Sequence, residues 1–383
     1  MARSVEKVTC IITRRGGDRG DEVVVFDHPL AGVQVPAGTS LPGENAADAA
    51  LREGWEETGI PGLAVAAELK SLAEATPGCG HGRLAADAVV DDRLFTRGHA
   101  ATVLDSNAQE LLVEVDGKRG WIAADAYCDD VVRHLVQLES DAATPREWWV
   151  VTPDGGGLCW RCRWASLDGD LGLVEGQSEW IKEVRGSLSA RTDARHFEVP
   201  DHPLCNSTSH VQFWGFPGVE RRFVVSWIPP ESAVDDALVR RALVAGRSKD
   251  EQILIVSGDG QTMWNFPGGG REPGERIEDT ARREVAEEAC AAATDLRLIG
   301  YQHLLQLDDG NNVVAEELQA RFAARVKLQP WDPQFEIRAR RLVHVNEVAS
   351  VIGMWWHPRM LQHILDGAAL AWGRSSAELR TDA

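Results

Sequence analysis

Apolar residues along the chain fall into short β-branched runs separated by glycine-rich turns, and the same order of elements occurs twice. Val8–Thr13 and Glu22–Phe26 flank the loop RRGGDRGD and have the composition of two buried strands. A third run, GVQVPAG, enters a glycine turn at Gly38. Over Ala46–Thr58 the alternation gives way to small and charged residues, which predicts a helix ending at Gly59, a good left-handed cap. The order returns later in the chain. Ala242–Ala245 and Gln252–Ser257 are strand candidates, Gly258-Asp259-Gly260 is a turn, TMWNFPGGG enters a second glycine turn, and Ile277–Cys290 is a second helix.

Between the copies lies a segment that one such unit does not need. Leu94–Ala123 contains ATVL, ELLVEV and KRGWIA, and Asp116-Gly117 between the last two is a strong hairpin signal. These short strands resemble a bacterial Src-homology-3-like barrel over about thirty residues, and they predict a β-rich insertion at about 77–135. The runs EWWVVTP and GLCWRCRWASL, with the amphipathic stretch to about Val184, read as the closing elements of a first domain over 1–190. The polar, aperiodic segment RTDARHFEVPDHPLCNSTS places a linker at 191–208. A second domain, 209–383, then closes with ELQARFAARV, RRLVHV, a helix from Pro358 to about Trp372, and a loose tail SSAELRTDA.

A length of 383 residues accommodates two or three such domains, each able to bury a core. The net charge of −19 lacks the basic footprint that double-stranded nucleic acid requires. It still admits a small anionic molecule, provided divalent cations bridge acid to acid. No apolar run approaches the ~20 residues of a membrane helix, and the opening MARSVEKVTCIITRR is interrupted too soon for a signal peptide. Seven scattered cysteines do not make a disulfide framework, which predicts a reducing cytoplasm.

The chemistry lies in two clusters with identical internal spacing, about 230 residues apart. The first has Gly38, Glu44, Arg52, Glu53, Glu56 and Glu57; the second has Gly269, Glu275, Arg283, Glu284, Glu287 and Glu288. Glutamates at i, i+3 and i+4 share one helical face and repel one another unless cations neutralise them. Hard carboxylate ligands of this kind select Mg²⁺ or Mn²⁺. The glycines allow a backbone carbonyl to approach such an ion closely. Glu44 and Glu275 lie in Pro-Gly-Glu turns from which a carboxylate can pair with Arg52 or Arg283 and fix the loop.

These residues resemble the Nudix hydrolase box over about 23 positions in each copy. The resemblance implies an α/β class protein with two Nudix-type α/β/α sandwiches and mixed sheets, the first carrying the β-rich insertion. It implies Mg²⁺ or Mn²⁺ bound by Glu53, Glu56, Glu57 and the carbonyl of Ala37, and by Glu284, Glu287, Glu288 and the carbonyl of Gly268. Glu44, Arg52 and Glu57, with Glu275, Arg283 and Glu288, form the implied catalytic set. The implied reaction is attack of metal-activated water on a diphosphate phosphorus, in a nucleoside diphosphate linked to another moiety. The partner is then a small nucleotide or diphosphate. The rival is a nucleotide-binding sensor or scaffold without turnover, which has no need of six metal-binding carboxylates.

Each copy departs from the box pattern. Gly54 occupies an aliphatic slot and Ala37 replaces a glycine; Cys290 stands where glycine usually ends the helix, and Ala291 takes the last aliphatic slot. Gly54 in a helix costs roughly 1 kcal/mol and a core contact. Cys290 is strained as a left-handed cap unless the helix runs on through CAAAT. Among smaller signals, Cys79, His81, Cys159 and Cys162 have zinc-ligand chemistry, although a strand conformation points the last two to opposite sides. Trp355-Trp356 reads as packing. Glu316 and Glu317 precede a strand from which the resembled fold often supplies another metal carboxylate.

Overall fold

The computed structural model describes residues 4–16, 20–29, 31–74, 81–107, 109–128, 130–151, 158–184, 197–216, 219–260, 264–333, 335–352 and 356–373. Cys79 and the C-terminal tail lie outside them, as does the side chain of His81. The chain forms two compact units, residues 1–144 with 163–195, and residues 145–162 with 196–383.

The first unit opens with Ser4–Arg15 (β1), Asp21–His28 (β2), Gly32–Gln34 (β3) and Ala37–Thr39 (β4), followed by the helix Ala46–Thr58 (α1) and the strand Leu63–Glu74 (β5). Asn45 caps α1 by accepting from the Asp48 N–H at 2.8 Å, and Gly59 closes it at φ 63°. The insertion then contributes His81–Leu84 (β6), Ala88–Val90 (β7), Arg93–Phe95 (β8), Ala100–Ser106 (β9), Glu110–Val115 (β10), Lys118–Ala123 (β11) and Tyr127–Cys128 (β12). Its five-stranded sheet runs β11-β10-β9-β6-β12, with β7–β8 as a separate hairpin. Asp116 and Gly117 both take positive φ, 47° and 75°, as a tight β10–β11 turn demands. Leu84, Val90, Phe95, Val113 and Ile122 form the insertion's own small core.

Asp130–Ser140 (β13) returns to the main sheet, parallel to β1 and antiparallel to β5. The insertion therefore ends at Cys128 rather than near 135, because this strand's hydrogen bonds are spent on the domain itself. After Glu147–Val151 (β14) and Cys159–Ser166 (β15), the short helix Gln177–Lys182 (α2) buries Ile181 with Ile11, Val23, Val25 and Leu135. Helix α1 covers the opposite face, so the first unit is a three-layer sandwich.

The sequence pattern placed β14 in the first domain. It pairs instead in parallel with His210–Phe216 (β16), through Trp149↔Gln212 and its neighbours, and belongs to the second unit. A short apolar strand carries no label for its partner; hydrogen-bonding geometry assigns it. The second unit continues with Val219–Ile228 (β17), Val239–Arg247 (β18), Gln252–Ser257 (β19), Trp264–Asn265 (β20) and Gly268–Gly270 (β21). The helix Ile277–Ala289 (α3) leads to Ala291–Leu307 (β22), Val313–Leu328 (β23), Ala339–His344 (β24) and the helices Val345–Ile352 (α4) and Pro358–Ala371 (α5).

The two units share their central pairings. Strand β18 runs parallel to β23 as β1 does to β13, and antiparallel to β21 and β19 as β1 does to β4 and β2. Ala281, Val285 and Ala289 of α3 pack on one face with Leu318, Ala320 and Phe322. Met360, Leu361 and Ile364 of α5 pack on the other with Ile253 and Ile255. The segment read as a linker is also incorporated: Leu204 packs against the α3-side core, and Asn206 donates to the Trp227 carbonyl at 3.0 Å. Among the described residues no helix is long and apolar enough to cross a membrane.

Two of the departures from the box pattern, Gly54 and Cys290, have physical explanations in the packing and the cap. A Cβ on Gly54 would meet the methyls of Leu138 at 2.9 Å and Leu63 at 3.2 Å, so neighbouring leucines already fill the slot that Val285 fills in the second unit. The helix does not run on past Cys290. That residue takes φ 43° as a left-handed cap, and the Arg340 guanidinium donates to the Ala289 and Cys290 carbonyls at 2.7 Å each. Restoring the aliphatic residue of the box pattern should therefore harm this chain. Gly54→Val is expected to lower stability by about 1–3 kcal/mol through overpacking, read as a lower denaturation midpoint. An unchanged or raised midpoint would show that the leucines yield freely.

Candidate metal and substrate site

One arginine organises each box, and the two copies agree bond for bond. Arg52 Nε donates to Glu44 at 2.9 Å, and its NH1 donates to Glu53 at 2.8 Å and Glu56 at 3.1 Å. Arg283 Nε donates to Glu275 at 3.0 Å, and its NH1 to Glu284 at 2.8 Å and Glu287 at 2.9 Å. The remaining NH2 anchors the glycine loop, through the Thr39 carbonyl at 3.1 Å or the Gly270 carbonyl at 2.8 Å. The last glutamate holds the other side of that loop. Glu57 accepts the Ala37 N–H at 2.7 Å, and Glu288 accepts the Gly268 N–H at 2.7 Å. Helix, loop and turn are thus locked together in both units.

All twelve residues named from the sequence are brought into these two clusters. Their fit to a divalent cation rests on the glycine cradle. A Cβ on Gly38 would overlap the Glu53 carboxylate, and one on Gly269 would lie 2.5 Å from that of Glu284. Only a bare backbone lets those carboxylates approach the loop carbonyls, and an all-oxygen donor set of this kind suits Mg²⁺ or Mn²⁺. Burial raises the Glu284 carboxyl and pushes that of Glu288 up to about 7, with neighbouring carboxylates adding to the rise. A cation would reverse that cost. The turn glutamates move the other way: hydrogen bonding to the arginines lowers Glu44, and takes Glu275 to about 2.

In the second unit a cavity of about 280 Å³ opens beside Gly268, lined among others by Arg241, Phe266, Gln319, Arg321 and Trp356. Arg321 is 2% exposed. Its NH2 donates to Gln302 and, at 2.8 Å, to Gln319, while its Nε and NH1 have no partner among the described residues. Burial, with Arg241 adding repulsion, lowers this guanidinium to about 9. Burying a cation is costly. The Glu317 charge and the Trp356 ring, 5.5 Å away, offset part of this cost. Among the described residues no carboxylate bonds the buried cation, and an anion entering the cavity would relieve it. The same Arg241 charge partly opposes the rise at Glu284 and Glu288, so it reaches the carboxylate cluster while lining the cavity.

Sequence reasoning missed Arg241 and Arg321. The available signal was the pair Gln319 and Arg321, two polar residues on one face of a strand whose run LQARFA is otherwise apolar. Of the two carboxylates expected near the metal, Glu316 pairs with His303, and Glu317 accepts from the cavity-lining Gln319. Alternation along β23 sends these neighbours to opposite faces. The carboxylate whose charge reaches Glu288 from outside the helix is Glu336, in the loop before β24. Cys159 and Cys162 are simply buried. Trp356 is largely core, bonding Asn265 at 3.1 Å while also lining the cavity.

The NUDIX domain model matches residues 4–127 and again 237–364. The chain belongs to the NUDIX family. It is similar to Nudix hydrolase 4 of Arabidopsis thaliana, with 27% identity over 121 residues, 31% of this chain and 56% of that protein. Nudix hydrolase 18, mitochondrial, from the same plant is 27% identical over 126 residues, 33% of this chain and 70% of that protein. The chain thus spans little more than half the length of the first of these relatives. Solved structures similar to it include a Bacillus subtilis pyrophosphohydrolase, at 20% identity over 37% of this chain and 90% of that one, TM-score 0.30. A C. elegans Ap4A hydrolase matches at 18% identity over 33% and 93%, TM-score 0.24.

The cradle gives a direct test of the two Nudix boxes. Gly38→Ala and Gly269→Ala should each displace a box glutamate and weaken Mn²⁺ binding to that unit by about 10–100-fold. Calorimetry on folded variants checks this, and undiminished binding would mean the loop does not approach the ion.

Proposed function

We propose that each Nudix unit is a Mg²⁺- or Mn²⁺-dependent hydrolase that cleaves a nucleoside diphosphate linked to another moiety. The observation that carries this reading is the bond-for-bond repetition of the arginine-held glutamate cluster against a glycine loop. Glu53, Glu56, Glu57 and the Ala37 carbonyl would hold the cations in the first unit; Glu284, Glu287, Glu288 and the Gly268 carbonyl would hold them in the second. When bound, the cations lower the pKa of water and offset charge on the diphosphate oxygens.

The chain's own residues prepare that chemistry. Arg52 and Arg283 fix the carboxylates in register, while Glu44 and Glu275 keep each arginine on its loop. The proton from the attacking water passes to a carboxylate at the cluster, either a box glutamate or, in the second unit, Glu336. Arg321 and Arg241 favour an anionic substrate group in the adjoining cavity, and Phe266 and Trp356 offer aromatic surface to its organic part. We place the protein in the cytoplasm, on the ground that its seven scattered cysteines do not have the pattern of a disulfide framework.

Purified protein with Mg²⁺ or Mn²⁺ should release a monophosphate product from some member of a nucleoside-diphosphate panel. Glu57→Gln and Glu288→Gln should each silence one unit, and the double variant should be inert. Tight nucleotide binding with no turnover across the panel would overturn the hydrolase reading in favour of a sensor. Activity surviving in the double variant would remove the box assignment altogether. For substrates cleaved by the second unit, Arg321→Met should lower kcat/KM by about 10–100-fold, since charged hydrogen bonds contribute about 1.5–3 kcal/mol. Mn²⁺ affinity should be unchanged, and an equal loss of metal binding would place Arg321 in the metal site instead.

A further inference from the structure

We propose that His202, His303 and Glu316 form a zinc site in the second unit, separate from the Nudix box. His303 is fully buried on β22, and its Nε2 lies 2.9 Å from Glu316 Oε1. His202 Nε2 approaches the same oxygen at 3.3 Å. The two imidazoles stack with centroids 5.0 Å apart and planes 23° from parallel. One ligand atom from each of the three residues lies within 4.8 Å of the others. Neighbouring ligands around a tetrahedral zinc with bonds of about 2.0–2.2 Å are separated by comparable distances.

The placement follows from register. His303 lies opposite Leu318, and Leu305 opposite Glu316, so the histidine and the glutamate are diagonal neighbours on one face of the β22–β23 ladder. That face carries α3, whereas Gln302 and Gln319 look to the other face and line the cavity. The segment at 197–208 crosses over the ladder. A turn in which the Cys205 N–H donates to the His202 carbonyl at 2.9 Å aims the imidazole down onto Glu316. Cys205 is not among the three mutually close donors: it hydrogen-bonds the hydroxyls of Ser209 and Ser226, although the Glu316 charge reaches it. Two imidazoles and one carboxylate therefore make the donor set, and the fourth corner is left to water.

This donor set differs in kind from the box. Imidazole nitrogen is a poor ligand for Mg²⁺ and a good one for zinc, so the two sites should sort cations rather than compete for them. His202 and Glu316 are each a quarter exposed and His303 is sealed, which gives the ion an entry path from one side. The site would clip the segment between the two Nudix boxes onto the second unit, adding to its hydrogen bonds with Trp227. On binding, each Nε2 offers its lone pair and the ring proton resides on Nδ1; for His202 this exchanges a long 3.3 Å bond from the Leu204 N–H for a metal bond.

The test uses the full chain, stripped with chelator and held in millimolar Mg²⁺ so that the boxes are occupied. Calorimetric titration with Zn²⁺ should give one equivalent bound per chain, and Co²⁺ should give the visible absorption of a four-coordinate ion. His202→Ala and Glu316→Gln, both at the accessible side, should weaken Zn²⁺ binding by more than about a hundredfold. The Glu57→Gln/Glu288→Gln double variant should bind it as the native chain does. Zn²⁺ should also slow amide exchange within 197–208, and this protection should be absent in His202→Ala. No Zn²⁺ uptake above Mg²⁺, or equal uptake by variants that circular dichroism shows to be folded, would overturn the site and leave a histidine–glutamate hydrogen-bond cluster.

Discussion

Three glutamates within one helical turn repel one another, and in each unit a single arginine binds two of them together with the turn glutamate, while the third accepts from a loop N–H. Arg52 and Arg283 each reach four acceptors, three carboxylates and a loop carbonyl. A lysine could not do this, because the planar fork of a guanidinium meets several acceptors at once in fixed directions. Through that fork the helix that carries the acids, the turn that precedes it and the glycine loop become one rigid piece. Everything proposed for the site depends on this piece keeping its shape.

The two units solve their local packing differently around the same core device. In the first, leucines from β5 and β13 fill the space beside Gly54; in the second, Val285 fills it from the helix itself. The first helix ends on a glycine, and the second on a cysteine whose left-handed backbone is supported by Arg340. In the first unit the Thr39 N–H adds a bond to Glu53 at 3.1 Å. These exchanges fall at caps and packing positions, where volume and hydrogen bonds can be supplied from elsewhere in the fold. The carboxylates and the arginine are the same in both units.

A second contrast lies within the second unit itself. One face of the β22–β23 ladder presents Gln302 and Gln319 to a cavity with a buried, partly unpaired arginine; the other presents His303 and Glu316 to an overlying segment. Strand alternation separates the two sets by a single residue step. The ladder can therefore carry an anion-seeking surface and a cation-seeking one without their charges meeting.

Sequence alone determined the duplication, the two carboxylate helices, their arginines and the hairpin at Asp116-Gly117. Each of these is set by spacing within about thirty residues, where helical and strand periods dictate which side chains share a face. It did not determine that Glu147–Val151 joins the second unit, that Asp130–Ser140 is a main-sheet strand, or that 197–208 is packed rather than free. Those outcomes depend on which distant strand offers a complementary edge and on where apolar surface remains uncovered. The cavity cations and the His202–His303–Glu316 cluster were equally hidden, since their members come from segments up to about a hundred residues apart and meet only when the sheet closes. Local chemistry was written in the order of residues; its company was decided by the pairing of strands.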